Sequence, residues 1–415
     1  MLSDANPCAT PATRFGDEVH RRRTMKGWGL RRLAQAAHCD PGHLSRIERG
    51  LRHPSATLAK ALDTALRAQG HLEALARKGD EEMRRRSLLV GVSTMTAALL
   101  TPVPAAGDAL AALDAVLVDP LDESPAGVPA LRASLQAGRR EFRAVRYQEL
   151  AQRLPSLVRA GEAVRHQARQ SETAVADDLL AGAYGLAAEL SIKLHEEGLA
   201  WTMADRAVRA ARSSGHPRTV ASAQRVLAIA LRRSGHRTQA QHAVITAAHR
   251  LRDDTDLTHP RDASQYASLL ATAAYTAAQT DRRDDAWAYV TEAQDALTRA
   301  GGPSGFTLND LTLYRVGIAR ALGDYGQAVD HVRQVRIDAL GGVERRVRFW
   351  EDAALSLMGR GRPDEAWAAL QNARATAPQE VLYRPWARRL TADLLDSRVR
   401  LPGLPEFAAQ VGVTH

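Results

Sequence analysis

From residue 180 onward one spacing recurs. A small residue opens each instance, at Ala204, Ala240, Ala286, Ala328 and Ala366. Four residues later stand Val208, Val244, Val290, Val332 and Leu370, and three further on Ala211, Ala247, Ala293, Val335 and Ala373. Offsets of four and three keep all three positions on one face of a helix. Five residues before the first alanine, three instances carry Gly235, Gly323 and Gly361, and the other two carry Leu199 and Asp281. Small residues let two helices approach closely, and glycine permits a tight turn between them. Intervals of 36, 46, 42 and 38 residues therefore predict a stack of helical hairpins. No stretch alternates with a two-residue period and strong β-branched content, so the chain is expected to be all-α.

A different pattern occupies residues 27–66, GWGLRRLAQAAHCDPGHLSRIERGLRHPSATLAKALDTAL. Leu30, Leu33, Ala34 and Ala37 share one face of a short helix. A polar turn over residues 38–40 follows, in which Asp40 suits the cap of the next helix and Pro41 its first position. Leu44 and Ile47 face inward at i, i+3, and Gly50 ends that helix. Pro54 and Ser55 open a further helix carrying Leu58, Leu62 and Leu66. Two short helices joined by a tight turn make a helix-turn-helix. Glu48 is expected to be an internal partner for an arginine. Charge is concentrated on the same part of the chain. Residues 1–86 hold 17 Lys+Arg against 10 Asp+Glu, whereas residues 87–415 hold 39 against 37. A basic module on a near-neutral body suits a nucleic-acid footprint on one domain, and a solvated basic face explains the charge alone equally well.

The string LRRLAQAA, DPGHLSRIERG, PSATLAKAL resembles XRE-type (lambda-repressor-like) helix-turn-helix domains over about 55 residues from Arg14 onward. That resemblance implies a five-helix DNA-binding domain, with residues 30–37 as the supporting helix and 41–49 as the recognition helix in the major groove. Pro41, Gly42, His43 and Arg46 then stand at base edges. Arg46 suits bidentate donation to guanine and His43 a single bond, while Pro41 and Gly42 contribute shape. Arg31, Ser45, Arg52, His53 and Ser55 are implied phosphate contacts. Arg21, Arg22, Arg23 and Lys26 either add to these or form a solvated face. Gly29 departs from the family, standing where Ser or Thr commonly caps the supporting helix.

The hairpin pattern resembles the tetratricopeptide repeat, with residues 131–159 as a degenerate first unit and extra residues lengthening loops such as HRLRDDTDLTHPRDA. Such units stack into an α-solenoid with a concave groove. In this phase the first helix of each pair aims Glu189, Lys193, Arg225, Arg232, Tyr275, Asp310, Arg320 and Arg348 into the groove. Basic groups in an apolar lining suit a peptide carboxylate or another acidic effector, and they equally suit charges that solvate an empty groove. Trp201, Trp287, Trp350, Trp367 and Trp386 are expected in the core or in stacking contacts.

The 415 residues are enough for two or three domains. The divisions read are a disordered arm (1–13), the helix-turn-helix domain (14–79), a linker with an apolar helix (80–130), the repeat domain (131–395) and a C-terminal tail (396–415). Cys8 and Cys39 lie far apart with no metal-ligand spacing, so no metal is expected. HExxH, GxSxG, P-loop and dinucleotide-binding patterns are missing, so neither an enzyme nor a cofactor is expected. Residues 84–107, RRRSLLVGVSTMTAALLTPVPAAG, imitate a twin-arginine export signal. The run is short, contains Ser and Thr, and follows a folded module, so a docking helix in a cytoplasmic protein is expected, with no membrane partner. The combination resembles bacterial helix-turn-helix/tetratricopeptide regulators, a group that includes receptors for signalling peptides. It implies a sequence-specific transcriptional regulator that binds double-stranded operator DNA as a homodimer and senses a peptide or small-molecule effector. A second reading is a tetratricopeptide interaction scaffold whose basic module binds DNA weakly.

Overall fold

The computed structural model describes residues 11–37, 39, 44, 47–48, 54, 56–77, 127–302, 305–397 and 399–413. Every regular element among them is helical. The chain divides into two units, Met1–Thr101 and Pro102–His415.

In the first unit, α1 (Pro11–Met25), α2 (Leu30–Ala36) and α3 (Ala56–Leu66) are joined by a helical stretch at residues 71–77. Leu44, Ile47 and Glu48 are also helical. Phe15, Val19, Leu33, Ala34, Ala37, Leu44, Ile47, Leu62 and Leu72 form one buried cluster. The inward faces expected at Leu33 and Ala34, at Leu44 and Ile47, and at Leu58 and Leu62 are thus the faces that pack. Buried Asp63 accepts backbone N–H bonds from Gly70 and Leu72, each at 2.8 Å, and so caps the stretch at 71–77. Gly16 on α1 meets the segment at 47–48 without a gap. A Cβ there would stand 2.2 Å from the Ile47 carbonyl oxygen.

The second unit is a run of hairpins. The inner helices are α4 (Val128–Arg143), α6 (Thr173–Leu194), α8 (Pro217–Arg233), α10 (Pro260–Gln279), α12 (Leu308–Ala321) and α14 (Val343–Gly359). Their outer mates are α5 (Tyr147–Gln167), α7 (Glu197–Ser214), α9 (Arg237–Thr255), α11 (Arg283–Ala300), α13 (Tyr325–Gln334) and α15 (Pro363–Thr376). Each inner helix packs on the next, and α14 packs back on α4, so the inner helices close a ring. Beyond them lie α16 (Pro378–Tyr383), α17 (Pro385–Asp396) and α18 (Leu404–Gln410).

One turn is repeated in all six hairpins. Val145, His195, Gly235, Asp281, Gly323 and Gly361 adopt φ between 59° and 86°. The N–H of the following residue then bonds the carbonyl five residues back, at 2.8–3.0 Å. This left-handed cap with its long return bond is the Schellman ending, which needs either glycine or a residue that tolerates positive φ. Five residues after it comes a fully buried position: Leu150, Ala200, Ala240, Ala286, Ala328 and Ala366. The repeat beginning at Ala204 is therefore shifted by one helical turn. Its first residue is Ala200, and the turn residue is His195 rather than Leu199. The alanine-rich string of α7 offers alanines four apart on one face, so a slip of four leaves the pattern intact.

The extra residues of the longest repeat lengthen helices rather than a loop. In HRLRDDTDLTHPRDA, α9 continues to Thr255 because Leu251 extends the buried face of Ala247 and Ala248, and α10 begins at Pro260. The first inner helix likewise begins at Val128, inside the span read as linker. Residues 396–415, read as a tail, contain α18, whose Phe407 is buried edge-on against Trp367 at 5.6 Å. Trp367 and Trp386 are buried, but Trp201, expected in the core or in a stack, is 49% exposed.

Two substitutions test these turns and contacts. A Cβ on Gly235 would touch nothing within 4 Å, so Gly235→Ala isolates the backbone cost of positive φ. It is expected to lower the stability of the array by about 1 kcal/mol, read from the urea midpoint. Gly16→Ala is expected to cost the first unit about 2 kcal/mol through overpacking, read as a drop in its melting temperature.

Candidate DNA-contacting module and arginine-lined cavity

In the first unit the basic run on α1 is largely committed internally. Arg23 donates to buried Glu48 through Nε at 2.5 Å and Nη2 at 2.7 Å, and to the Trp28 carbonyl at 2.8 Å. His20 approaches the same carboxylate at 2.9 Å. Burial pushes the Glu48 carboxyl up, but the Arg23 and His20 bonds outweigh it and leave it below the usual range. The expected internal partner of Glu48 is thus Arg23. Arg21 and Arg22 both donate to Glu18, which their bonds hold down to about 2. Lys26 donates to the Ala65 carbonyl at 2.7 Å and lies 4.2 Å from the Trp28 ring centre. These bonds tie all four side chains to partners within the first unit. Pro41, Gly42, His43, Ser45, Arg46, Arg52, His53 and Ser55, and the side chain of Arg31, lie outside the described residues, as does the span 84–107.

Within the second unit, the ring of inner helices surrounds a cavity of about 890 Å³ that is open to solvent on one side. Glu189, Lys193, Arg225, Arg232, Tyr275, Asp310 and Arg348 line it. Arg320 stands behind the wall, its Nη2 3.4 Å from the Tyr275 hydroxyl. All eight occupy inner helices, because the inner face of each hairpin is the one that its partner helix leaves uncovered.

Most of these groups are held by one another. Tyr275 is surrounded by three guanidiniums: Arg232 lies 4.8 Å and Arg348 5.9 Å from its ring centre, and Arg320 faces its hydroxyl. Burial raises its pKa, yet Arg320 and Arg348 reverse the effect and leave it lowered. Asp352 accepts Arg348 at 2.8 Å and Arg320 at 3.0 Å, which keeps the buried carboxylate ionised. Glu189 pairs with Arg225 at 3.4 Å. Asp310, read as a groove residue, also closes a capping box with Thr307, accepting its N–H at 2.9 Å, and lies 3.6 Å from Arg345.

The ring is fastened at one buried carboxylate. Glu380 on α16 accepts the Tyr147 hydroxyl at 2.6 Å, Lys193 at 2.9 Å and Arg384 at 3.0 Å. Lys193 also binds Glu344 on α14, and Arg384 binds Glu351 at 2.5 Å. Burial opposes ionisation of Glu380, but Lys193 and Arg384 prevail and hold its pKa down to about 2. Residues 233 apart in sequence are joined there, so no local signal announces the clasp.

The sequence reading did not place Arg233, Arg345 and Arg384 at the cavity, nor Arg139, Arg140 and Arg143 on α4. Helical spacing carries part of the missing signal. Arg345, Arg348 and Asp352 lie three and four apart, on one face.

Residues 14–76 match a family model described as a helix-turn-helix domain. No curated protein matches the chain. The protein is therefore an all-α chain with an N-terminal helix-turn-helix region and a C-terminal helical array. The helix-turn-helix makes DNA the partner implied for the first unit. Among the described residues, no helix is long and apolar enough to cross a membrane.

Glu380→Gln is expected to destabilise the array at pH 7 by about 3 kcal/mol, because it leaves Lys193 and Arg384 without their shared charge. A depressed carboxylate contributes stability above its unfolded pKa and loses it as pH falls through the folded value. The gap between native protein and variant should therefore close between about pH 4.5 and pH 2, measured by urea unfolding at several pH values. A gap that stays constant over that window contradicts the assignment.

Proposed function

We propose that the protein is a sequence-specific DNA-binding transcriptional regulator whose helical array, of tetratricopeptide type, carries an effector in its central cavity and joins two copies into a dimer. The observation that supports the first part most directly is the helix-turn-helix match, together with the packing of Leu44 and Ile47 against Leu33 and Leu62.

Hairpins that repeat at about forty residues with one turn geometry support the tetratricopeptide reading, although the repeat is longer than the usual 34 residues. The cavity supports effector binding because it falls in the size range of small-molecule sites and converges charged groups on one concave space. A protein of this design acts by binding, with no catalytic step. Effector control then requires different affinities for two arrangements of the dimer.

The experiment is binding to genomic fragments by fluorescence anisotropy across a salt series. One fragment should be bound in clear preference to the rest, with a steep log–log salt slope. Arg46→Ala should weaken binding to that fragment by roughly 1–3 kcal/mol and relax selectivity at one base pair. Equal, weak binding to every fragment would reject the regulator and leave the scaffold reading. Light scattering of the full chain should give twice the monomer mass.

A further inference from the structure

The cavity lining has an imbalance of charge. Ten arginine and lysine side chains face it against four carboxylates. All four carboxylates are already engaged: Glu189 by Arg225, Asp310 by Arg345, Glu344 by Lys193, and Asp352 by Arg348 and Arg320. Arg384 is balanced by Glu351 and Glu380, which lie outside the lining. Five cations remain: Arg139, Arg140 and Arg143 on α4, and Arg232 and Arg233 on α8. Among the described residues none of the five has a carboxylate within 4.0 Å.

The two on α8 are also desolvated. Among the described residues Arg232 has only the Tyr275 ring and the Thr276 hydroxyl, at 3.3 Å, as partners, and burial brings it down to about 10. Arg233 donates to Nδ1 of His195 at 2.8 Å, and the imidazole is held neutral, at about 4, by burial and the arginines beside it. Buried Arg384 adds a donor, Nε, that has no hydrogen-bond partner among the described residues. Arg232 and Arg233, partly dehydrated and without a carboxylate, are costly unless an anion joins them, and the exposed Arg139, Arg140 and Arg143 add positive potential at the same space.

We propose that the cavity is the receptor site for a small molecule carrying two phosphoryl groups, a diphosphate or bisphosphate of the nucleoside diphosphate class. This rests on the regulator reading and names the chemistry of its effector. The lining is rich in donors, and a phosphoryl group is an acceptor that guanidiniums grip in pairs. A peptide backbone presents N–H donors as well. The lining's carboxylates are already in ion pairs, and among the described residues its remaining side-chain acceptors are Gln136 and the hydroxyls of Ser222, Thr307, Tyr275 and Tyr314, so acceptors are fewer than the lining's cationic donors. A peptide carboxylate brings one negative charge, whereas two phosphoryl groups bring about three to four, close to the charge of the five arginines that lack a carboxylate. Phe142, Ile192 and Ile229 provide apolar surface for the organic part.

The test is calorimetric titration of the full chain with ADP, GDP and inorganic pyrophosphate, against citrate and adenosine at matched ionic strength. At least one phosphorylated probe should bind tenfold or more tighter than citrate, and adenosine should not bind. Nucleoside diphosphates ahead of pyrophosphate place the organic group in the site, and pyrophosphate ahead of them assigns the site to the diphosphate alone.

Arg232→Gln/Arg233→Gln should weaken that binding at least tenfold. Arg139→Gln/Arg140→Gln should do the same, and because both side chains are exposed it leaves the fold intact by circular dichroism. Arg21→Gln/Lys26→Gln, in the first unit, should leave the binding unchanged. No preference over citrate, or binding unaffected by both cavity variants, overturns the proposal. Binding lost in Arg21→Gln/Lys26→Gln also overturns it. Fragment binding by the same preparation without ligand separates the two readings. Selective DNA binding with no phosphorylated ligand rejects only the cavity assignment. Phosphorylated ligand with no selective DNA binding rejects only the regulator.

Discussion

One buried carboxylate carries the closure of the array. Glu380 receives a hydroxyl, an ammonium and a guanidinium, and these come from the second helix, the third helix and the loop after α16. Removing a carboxylate from water costs several kcal/mol, and only a full set of donors offsets that. The donors must therefore be in place together, which brings the first hairpin against the last. Val347 and Ala377, from the far end of the array, accordingly belong to the same core cluster as Leu131, Leu150 and Leu190. Without that contact the inner helices would line an open groove. With it they bound a cavity.

Closure has an electrostatic consequence. An open concave face lets water solvate its cations. A ring excludes part of that water, so each arginine that it buries needs a carboxylate, an aromatic face or an anion from solution. Asp352, Tyr275 and Glu351 satisfy Arg320 and Arg348 in this way. Arg232 and Arg233 are left with a ring, a hydroxyl and an imidazole. The first unit handles the same residue types differently. There the arginines of α1 lie near solvent and are used to fix the helix in place through Glu18 and Glu48.

Much of the fold is visible in local pattern. The apolar faces of α2 and α3, the hairpin repeat and the assignment of Glu189, Arg225, Tyr275 and Arg348 to inner helices all follow from spacing within a helix. Errors arose where local pattern is degenerate. The alanines of α7 allow a slip of one turn, and His195 and Val145 occupy a left-handed position that glycine marks elsewhere. Asp310, a groove charge by repeat phase, also closes a capping box with Thr307, and the sequence signals both roles with the same residue. The segment around Leu401 and Pro402 has no helical period, yet it folds because Trp367 needs a hydrogen-bond acceptor and Phe407 an aromatic neighbour.

The sequence by itself determined the class of the chain: all-helical, with a helix-turn-helix at one end and hairpins of about forty residues after it. Those features depend on residues within one or two turns of each other, where periodicity, caps and turn chemistry act directly. Only the tertiary structure decided that the array closes, which arginines are balanced, and that Gly16 must lack a side chain. Each of these depends on groups from distant parts of the chain meeting in a space from which water has been partly removed. Spacing along the sequence carries no measure of that space.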